Sequence, residues 1–197
     1  MTKIVRLPRK PRKSGPSKAI SRKDYMNLKT LMDSPRDRLL LSLMALCIRI
    51  GDVLNIKVKD CYDAKMVPRT QAHITEGKTN KPRLIDLSPI QVPLNTYAAE
   101  AKRLNLQPDD VLFWSKKGPL RRQSVNRILE QHRQTLGLEQ LSPHSLRKYQ
   151  ARYLILEVGI PITVISKMLN HSHVKITEIY ADIQQSDVQH AYDNMAV

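Results

Sequence analysis

The sequence predicts a mainly α fold with one small antiparallel β-sheet, an α+β arrangement. Three observations predict it. Residues 39–48, LLLSLMALCI, form an apolar run that opens at a helix-start signal. Two strand-like segments, TQAHITE and RLIDLS, flank a Gly77-Lys78-Thr79-Asn80 turn. From Ser88 onward the apolar residues recur at helical spacing almost to the C-terminus.

Taken in chain order, the first element is an extension rather than a folded unit. Residues 1–18 carry Lys3, Arg6, Arg9, Lys10, Arg12, Lys13 and Lys18, three prolines and no acid, so they have too little apolar surface to order alone. A basic disordered arm over 1–19 is expected. Ser21 with Asp24 three residues later is a capping signal for a short helix ending near Met32. Ser34-Pro35 opens the next helix, with proline at its first turn and the apolar run 39–48 behind it; a helix apolar nearly all round is buried. Gly51-Asp52 begins a short helical turn. VKDCY, TQAHITE and RLIDLS then read as the strands of the sheet. Helices follow at about 89–104, 122–136, 144–158, 162–169, 173–181 and 185–194, with ends uncertain by about ±2–4 residues.

A chain of 197 residues supports one sizeable core. Lysine and arginine number 33 against 18 acids, a formal charge of +15, which implies a polyanionic partner, and nucleic acid fits best. No apolar run approaches the roughly 18 residues of a membrane span and no targeting segment is evident, so a cytoplasmic location without membrane association is expected. The two cysteines, Cys47 and Cys61, have neither disulfide-framework nor zinc-ligand spacing and read as reduced packing residues. Phosphate-loop glycine patterns are absent, which leaves nucleotide hydrolysis unsupported.

The C-terminal third concentrates the chemistry. His144 and Arg147, three apart behind Ser142-Pro143, share one face at a helix start. There the free N–H groups and a bidentate guanidinium can both meet one phosphate. Arg49 ends an apolar, buried stretch, where a guanidinium is costly unless it pairs with an acid, for which Asp52 is available, or faces a functional cleft. Lys116, Lys117, Arg121, Arg122 and Arg127 cluster at a helix start with Gln123 and Ser124, a set suited to phosphates and base edges. Each feature has a plainer reading: His144 with Arg147 ordinarily caps and solvates a helix start, a tyrosine near a C-terminus is ordinarily packing, His171-Ser172-His173 is a weak metal pair, a lysine in a Gly-Lys-Thr-Asn turn is ordinarily a solvated tip, and a basic run is ordinarily a solvated face.

Pro143-His144-Ser145-Leu146-Arg147-Lys148, the helix behind it with Gly159, then Leu169-Asn170-His171-Ser172 and Tyr180 nine residues after His171 together resemble the tyrosine recombinase, or phage integrase, family in a short form consisting of the catalytic domain. Upstream, Cys47-Ile48-Arg49-Ile50-Gly51-Asp52 resembles the segment carrying that family's first catalytic arginine. Gly77 to Arg83 resembles its lysine-bearing β-hairpin, and Leu112 to Val125 its connection into a DNA-facing helix. The resemblance covers roughly residues 20–185. It departs at Asn170, where the family usually has glycine, and at Lys148, where a histidine commonly stands.

The resemblance implies a catalytic set of Arg49, Lys78 (with Lys81 second), His144, Arg147, His171 and Tyr180, and a site-specific recombinase that breaks and rejoins DNA through a 3′-phosphotyrosine. Neither metal nor ATP nor any other cofactor is implied. Lys81, Arg83 and Lys148 join the basic residues above as expected DNA contacts. The family grips double-stranded DNA with an additional helical domain ahead of the catalytic one, a role in which the basic arm is expected to stand in. It assembles as a tetramer on DNA, for which residues 185–197 are the segment expected to be exchanged between protomers, with accessory DNA-bending proteins as further partners. The competing expectations are a type IB topoisomerase-like relaxation of supercoils and, outside enzymes, a noncatalytic DNA-binding regulator.

Overall fold

The computed structural model describes residues 17–77 and 80–195. The arm up to residue 16, and with it most of the N-terminal basic extension, lies outside the described residues, as do Lys78 and Thr79.

Ten helices and two small antiparallel ribbons are present among the described residues. Helix α1 (Arg22–Leu31) starts at Ser21, whose hydroxyl accepts the Asp24 N–H, and α2 (Pro35–Ala45) starts at Ser34, whose hydroxyl accepts the Asp37 N–H. Both starts stand where the capping signals predict. Helix α2 buries Leu39, Leu40, Leu41, Leu43 and Met44 and packs against α5 (Gln91–Arg103) and α7 (Pro143–Leu156), so it is the central rod of the main core. The expected end of the arm is not loose. Ser17 lies 3.3 Å from Ser142, hydroxyl to hydroxyl, and Ala19 and Ile20 pack against the core.

The buried helix is shorter than the apolar run. It ends at Ala45, and Cys47 turns the chain with a left-handed backbone, φ 59°. Arg49 therefore does not close that helix; it is the extended residue that opens α3 (Ile50–Val53). VKDCY is also not a strand. Val58–Cys61 forms α4, because Val58 and Cys61 are three apart and both buried, while the Asp60 carboxylate accepts the Lys57 N–H at 2.8 Å and closes the turn. The β-branched and aromatic residues favour a strand locally, but burial at i and i+3 is satisfied by one helical turn.

The sheet is accordingly two-stranded: β1 (Gln71–Thr75) pairs antiparallel with β2 (Pro82–Asp86), Gln71 opposite Asp86 and Thr75 opposite Pro82. Ala72, Ile74 and Ile85 point into the core while their neighbours face out, the period-2 pattern of a half-buried ribbon. A 3₁₀ turn, Ser88–Ile90, leads into α5. A second ribbon, β3 (Trp114–Ser115) with β4 (Gly118–Pro119), delivers the chain to α6 (Arg122–Thr135).

The C-terminal layer is α7, α8 (Ile162–Met168), α9 (Val174–Ala181) and α10 (Gln185–Asp193). Helices α7, α8 and α9 pack on one another around a separate small cluster of Cys47, Ala151, Ile165 and Leu169, against which Tyr180 is packed. This cluster brings the turn before Arg49 into contact with the helices that follow it by about a hundred residues in sequence.

Candidate active site

Helix α7 presents two faces. Its first turn is fixed by Ser142, whose hydroxyl accepts the Ser145 N–H while the Ser145 hydroxyl receives the Ser142 N–H, with Pro143 at the first helical position. Tyr149 and Tyr153 point toward α1, where Tyr149 stacks on Tyr25 with ring centroids 4.7 Å apart. His144, Arg147 and Lys148 point the other way, toward Tyr180 near the C-terminus of α9.

A cleft of about 370 Å³ opens on that side, lined by Ile48, Arg49, Asp52, Arg122, His144 and Arg147 among others. Three guanidiniums thus converge on one small cavity, a concentration of positive charge that favours an anion there. Arg147 is 3% exposed; one guanidinium nitrogen donates to the Leu169 carbonyl at 2.6 Å, and the other, Nη1, is buried with no hydrogen-bond partner among the described residues. A buried, unmatched N–H of a charged group carries a desolvation penalty on the order of 1–3 kcal/mol or more, which an incoming phosphate oxygen would relieve.

Arg49 is held from below. Its Nη1 donates to Glu76 at 2.8 Å and its Nη2 approaches the carbonyls of Leu169 and Asn170 at 3.4 Å each. The expected partner Asp52 does not pair with it; Asp52 Oδ1 accepts the Gly77 N–H at 2.9 Å instead and ties the base of the β1–β2 hairpin to α3. Glu76, fully buried, is a site residue that the sequence reading did not pick out.

The Tyr180 hydroxyl stands 3.5 Å from His144 Nδ1. The ring of His171 meets the Tyr180 ring edge to face at 5.3 Å, and His171 Nδ1 is 2.9 Å from the Thr177 hydroxyl, one bond that orients the imidazole from α9 itself. The guanidinium of Arg147 and the ammonium of Lys148 lie 5.8 and 5.6 Å from the Tyr180 ring centroid. Burial pushes the Tyr180 phenol up to about 12, against the opposing pull of the Arg147 charge, so it stays protonated at neutral pH until a base removes the proton. His144 moves the opposite way. Desolvation first, then Arg147, Arg122, Lys148 and Arg49, hold it below the ordinary histidine value, so it is neutral and able to accept a proton. Burial raises the thiol of Cys47 to about 11 and that of Cys61 to about 12, which keeps both as inert packing groups.

Of the expected set, Arg49, His144 and Arg147 line the cleft, while Tyr180 stands beside it through its contact with His144 and His171 packs on the Tyr180 ring. Lys78 lies outside the described residues. Among the expected DNA contacts, Lys81, Lys116, Lys117, Arg121, Arg122, Gln123 and Arg127 are exposed and Ser124 is half-buried, with Arg122 also lining the cleft. Lys148 turns in toward Tyr180. Arg83 also turns inward: its side chain is 13% exposed and bonds to Glu76 and the Cys47 carbonyl. Among the described residues no three His, Cys, Asp or Glu side chains come together as metal ligands, and no helix is long and apolar enough to cross a membrane.

A mainly helical domain with a two-stranded ribbon beside it, two arginines in a cleft and a tyrosine on the penultimate packed helix defines the tyrosine recombinase catalytic-domain fold. The fold superposes on the XerA recombinase with a TM-score of 0.72 at 21% identity, over 93% of this chain and 68% of that one. Residues 20–187 match the phage integrase family, and the chain belongs to that family. It is 30% identical over 155 residues to a tyrosine recombinase of Pseudothermotoga lettingae, covering 77% of this chain and 51% of the relative. It is 32% identical over 162 residues to the tyrosine recombinase XerD of Corynebacterium glutamicum, covering 80% and 51%. The chain thus spans about half the length of the curated relatives it matches.

Proposed function

We propose that this chain cleaves and rejoins double-stranded DNA at specific sites through a phosphotyrosine at Tyr180. The observation that carries the reading is the Tyr180 hydroxyl beside a neutral His144, at the edge of a cleft containing Arg49 and Arg147.

A scissile phosphate bound in the cleft places its nonbridging oxygens against the two guanidiniums, Arg147 Nη1 gaining the partner it lacks. Neutralised in this way, the phosphorus accepts the Tyr180 oxygen. The phenolic proton passes to His144, the bond to the 5′ oxygen breaks, and the products are a 3′-phosphotyrosine and a 5′-hydroxyl. The departing oxygen needs a proton, and the family resemblance assigns that donation to Lys78. His171, oriented by Thr177, hydrogen-bonds the phosphate from the α9 side. Rejoining runs the same steps backward from another 5′-hydroxyl, so the phosphodiester energy is kept in the protein–DNA bond.

The exposed residues Lys81, Lys116, Lys117, Arg121, Arg122, Gln123 and Arg127 supply phosphate and base contacts beside the cleft. Exchange needs several protomers on DNA, for which a tetramer is the proposed assembly, and α10 is the proposed linking segment. It is fastened to its own chain by Arg152, which bonds the Asp182 carbonyl and Asp187, yet leaves Val188, Tyr192 and Met195 exposed. A cytoplasmic location follows from the same reading.

The test uses nicked suicide duplexes tiled from the gene's own genomic neighbourhood, from which a cleaved fragment diffuses away and strands the intermediate. A DNA-shifted protein band on a denaturing gel, lost in Tyr180→Phe, is the expected result. Tight specific binding without any adduct from any duplex would instead favour a noncatalytic regulator.

A further inference from the structure

Glu76 sits where an acid is hardest to justify. Its side chain has no exposure, it lies directly behind a cleft whose task calls for positive charge, and the carboxylate subtracts from that charge. Its donors come from separate segments. Arg49 Nη1 reaches Oε2 at 2.8 Å from the turn after α2, and Arg83 reaches Oε1 at 3.3 Å from β2. The Asn170 amide also donates to Oε2, from the turn between α8 and His171. The Glu76 N–H itself bonds the Lys81 carbonyl, closing the base of the hairpin.

Asn170 is informative because of its backbone. With φ 51° it occupies the left-handed region, where glycine is easiest and asparagine is the best tolerated alternative. A glycine there has no side chain to offer. Asparagine keeps the turn and adds a donor aimed at a buried carboxylate.

We infer that Glu76 and Asn170 are positioning residues that fix the Arg49 guanidinium relative to His171 and the hairpin, so that the cleft is set for a phosphate before DNA arrives. The inference rests on the phosphotyrosine reading of the site. The physical reason is preorganisation. An arginine carries several rotatable bonds, and a guanidinium clamped at one nitrogen keeps its remaining N–H groups pointed while the phosphate binds. A buried carboxylate is an effective clamp, since removing either partner of such a pair leaves the other uncompensated.

The experiment measures strand cleavage by wild type, Glu76→Gln, Asn170→Gly and the double variant on a suicide duplex that wild type has been shown to cleave. It then repeats the measurement on the same duplex with a methylphosphonate at the scissile position. That group is neutral, so the guanidinium has less charge to neutralise. Wild-type adduct formation at Tyr180 is the reference, and its failure would defeat the functional reading before any variant is compared.

The expected result is a cleavage rate down on the order of 100-fold for Glu76→Gln and on the order of tenfold for Asn170→Gly, with unchanged DNA affinity. The double variant is expected to be no slower than Glu76→Gln, because both act through one guanidinium. On the methylphosphonate the deficits are expected to shrink to a few-fold. Unchanged cleavage, or equal deficits on both substrates, would overturn the inference and leave the pair a structural one. If Glu76→Gln does not fold, Asn170→Gly carries the same two-substrate comparison, since its backbone conformation suits glycine.

Discussion

Tyr180 and His144 are moved in opposite directions, and both shifts make the proposed proton transfer harder in the free protein, so it is expected to proceed only as the phenolic oxygen bonds to phosphorus. Burial holds the phenol protonated, near 12, while desolvation and the neighbouring cations hold the imidazole neutral. The sign follows directly: His144 lies below its ordinary value of about 6.5, so it is deprotonated throughout the neutral range and gains a proton only as the solution becomes acid. The rate of adduct formation should therefore be level from about pH 7 upward toward 8 and fall on the acid side, and His144→Gln should lower the plateau and remove that acid limb. A pH–rate series on both proteins checks it. Arg147→Ala should abolish cleavage to at least on the order of 100-fold, whereas Arg127→Ala, exposed on α6, should weaken DNA binding with little change in the cleavage rate of bound complex. At this scale the spacing and helix-start position of His144 and Arg147 marked a candidate phosphate site, beside the commoner reading of a capped and solvated helix start. Arg49 stood out on its own as a guanidinium ending an apolar run, whereas His171 and Tyr180 needed the family pattern. Glu76 carries no such signal: a single acid after a strand reads as a solvated turn residue, and only the closure of the chain over 94 positions, from Glu76 to Asn170, shows that it is buried. Asp52, the nearer acid, was the natural partner to expect for Arg49, but the hairpin's Gly77 N–H claims it.

The elements that position these groups are held by local devices of ordinary strength. The reciprocal Ser142–Ser145 cap fixes the first turn of α7, the turn that carries His144. Ser142→Ala should cost about 1 kcal/mol, read as a lowered denaturant midpoint. Gly159, at φ +80° between α7 and α8, is a position where a side chain is strained, so Gly159→Ala should destabilise by about 1 kcal/mol or more in the same measurement. Helix starts were readable because a capping serine stands at Ser21, Ser34 and Ser142, followed by an acid three residues on at the first two and by proline at the last two. The end of α2 was not, since the apolar run continues past the point where Cys47 turns left-handed, and apolarity alone does not mark a turn. VKDCY misled for a related reason: strand-favouring side chains at i and i+3 serve a helical turn equally well once Asp60 caps it.

Across the whole molecule the charge of +15 and the position of the cleft beside an exposed basic helix point to one polycationic surface suited to a polyanionic partner. Affinity for duplex DNA should fall linearly in log–log terms with salt, by about 0.9 per phosphate neutralised, and a flat response would contradict a DNA-facing basic surface. Removing residues 185–197 should leave Tyr180 and its cleft intact, because neither the cleft lining nor the described contacts of the Tyr180 ring and hydroxyl include a residue of α10. Suicide-substrate cleavage should then persist while joining of two DNA sites is lost, the outcome expected if that segment links protomers. The fold class was legible at this scale from periodicity alone, since helical spacing dominates after Ser88. The meeting of residues 49, 76, 147, 170 and 180 was not, because it depends on the second small core around Cys47 and Leu169 rather than on any local pattern. The most direct measurement is mass-spectrometric mapping of the trapped adduct after protease and nuclease digestion. The expected product is a nucleotide joined by its 3′ phosphate to the peptide containing Tyr180, with a free 5′-hydroxyl on the released strand; attachment to any other residue, or a 5′-phosphate linkage, would contradict phosphotyrosine chemistry at Tyr180.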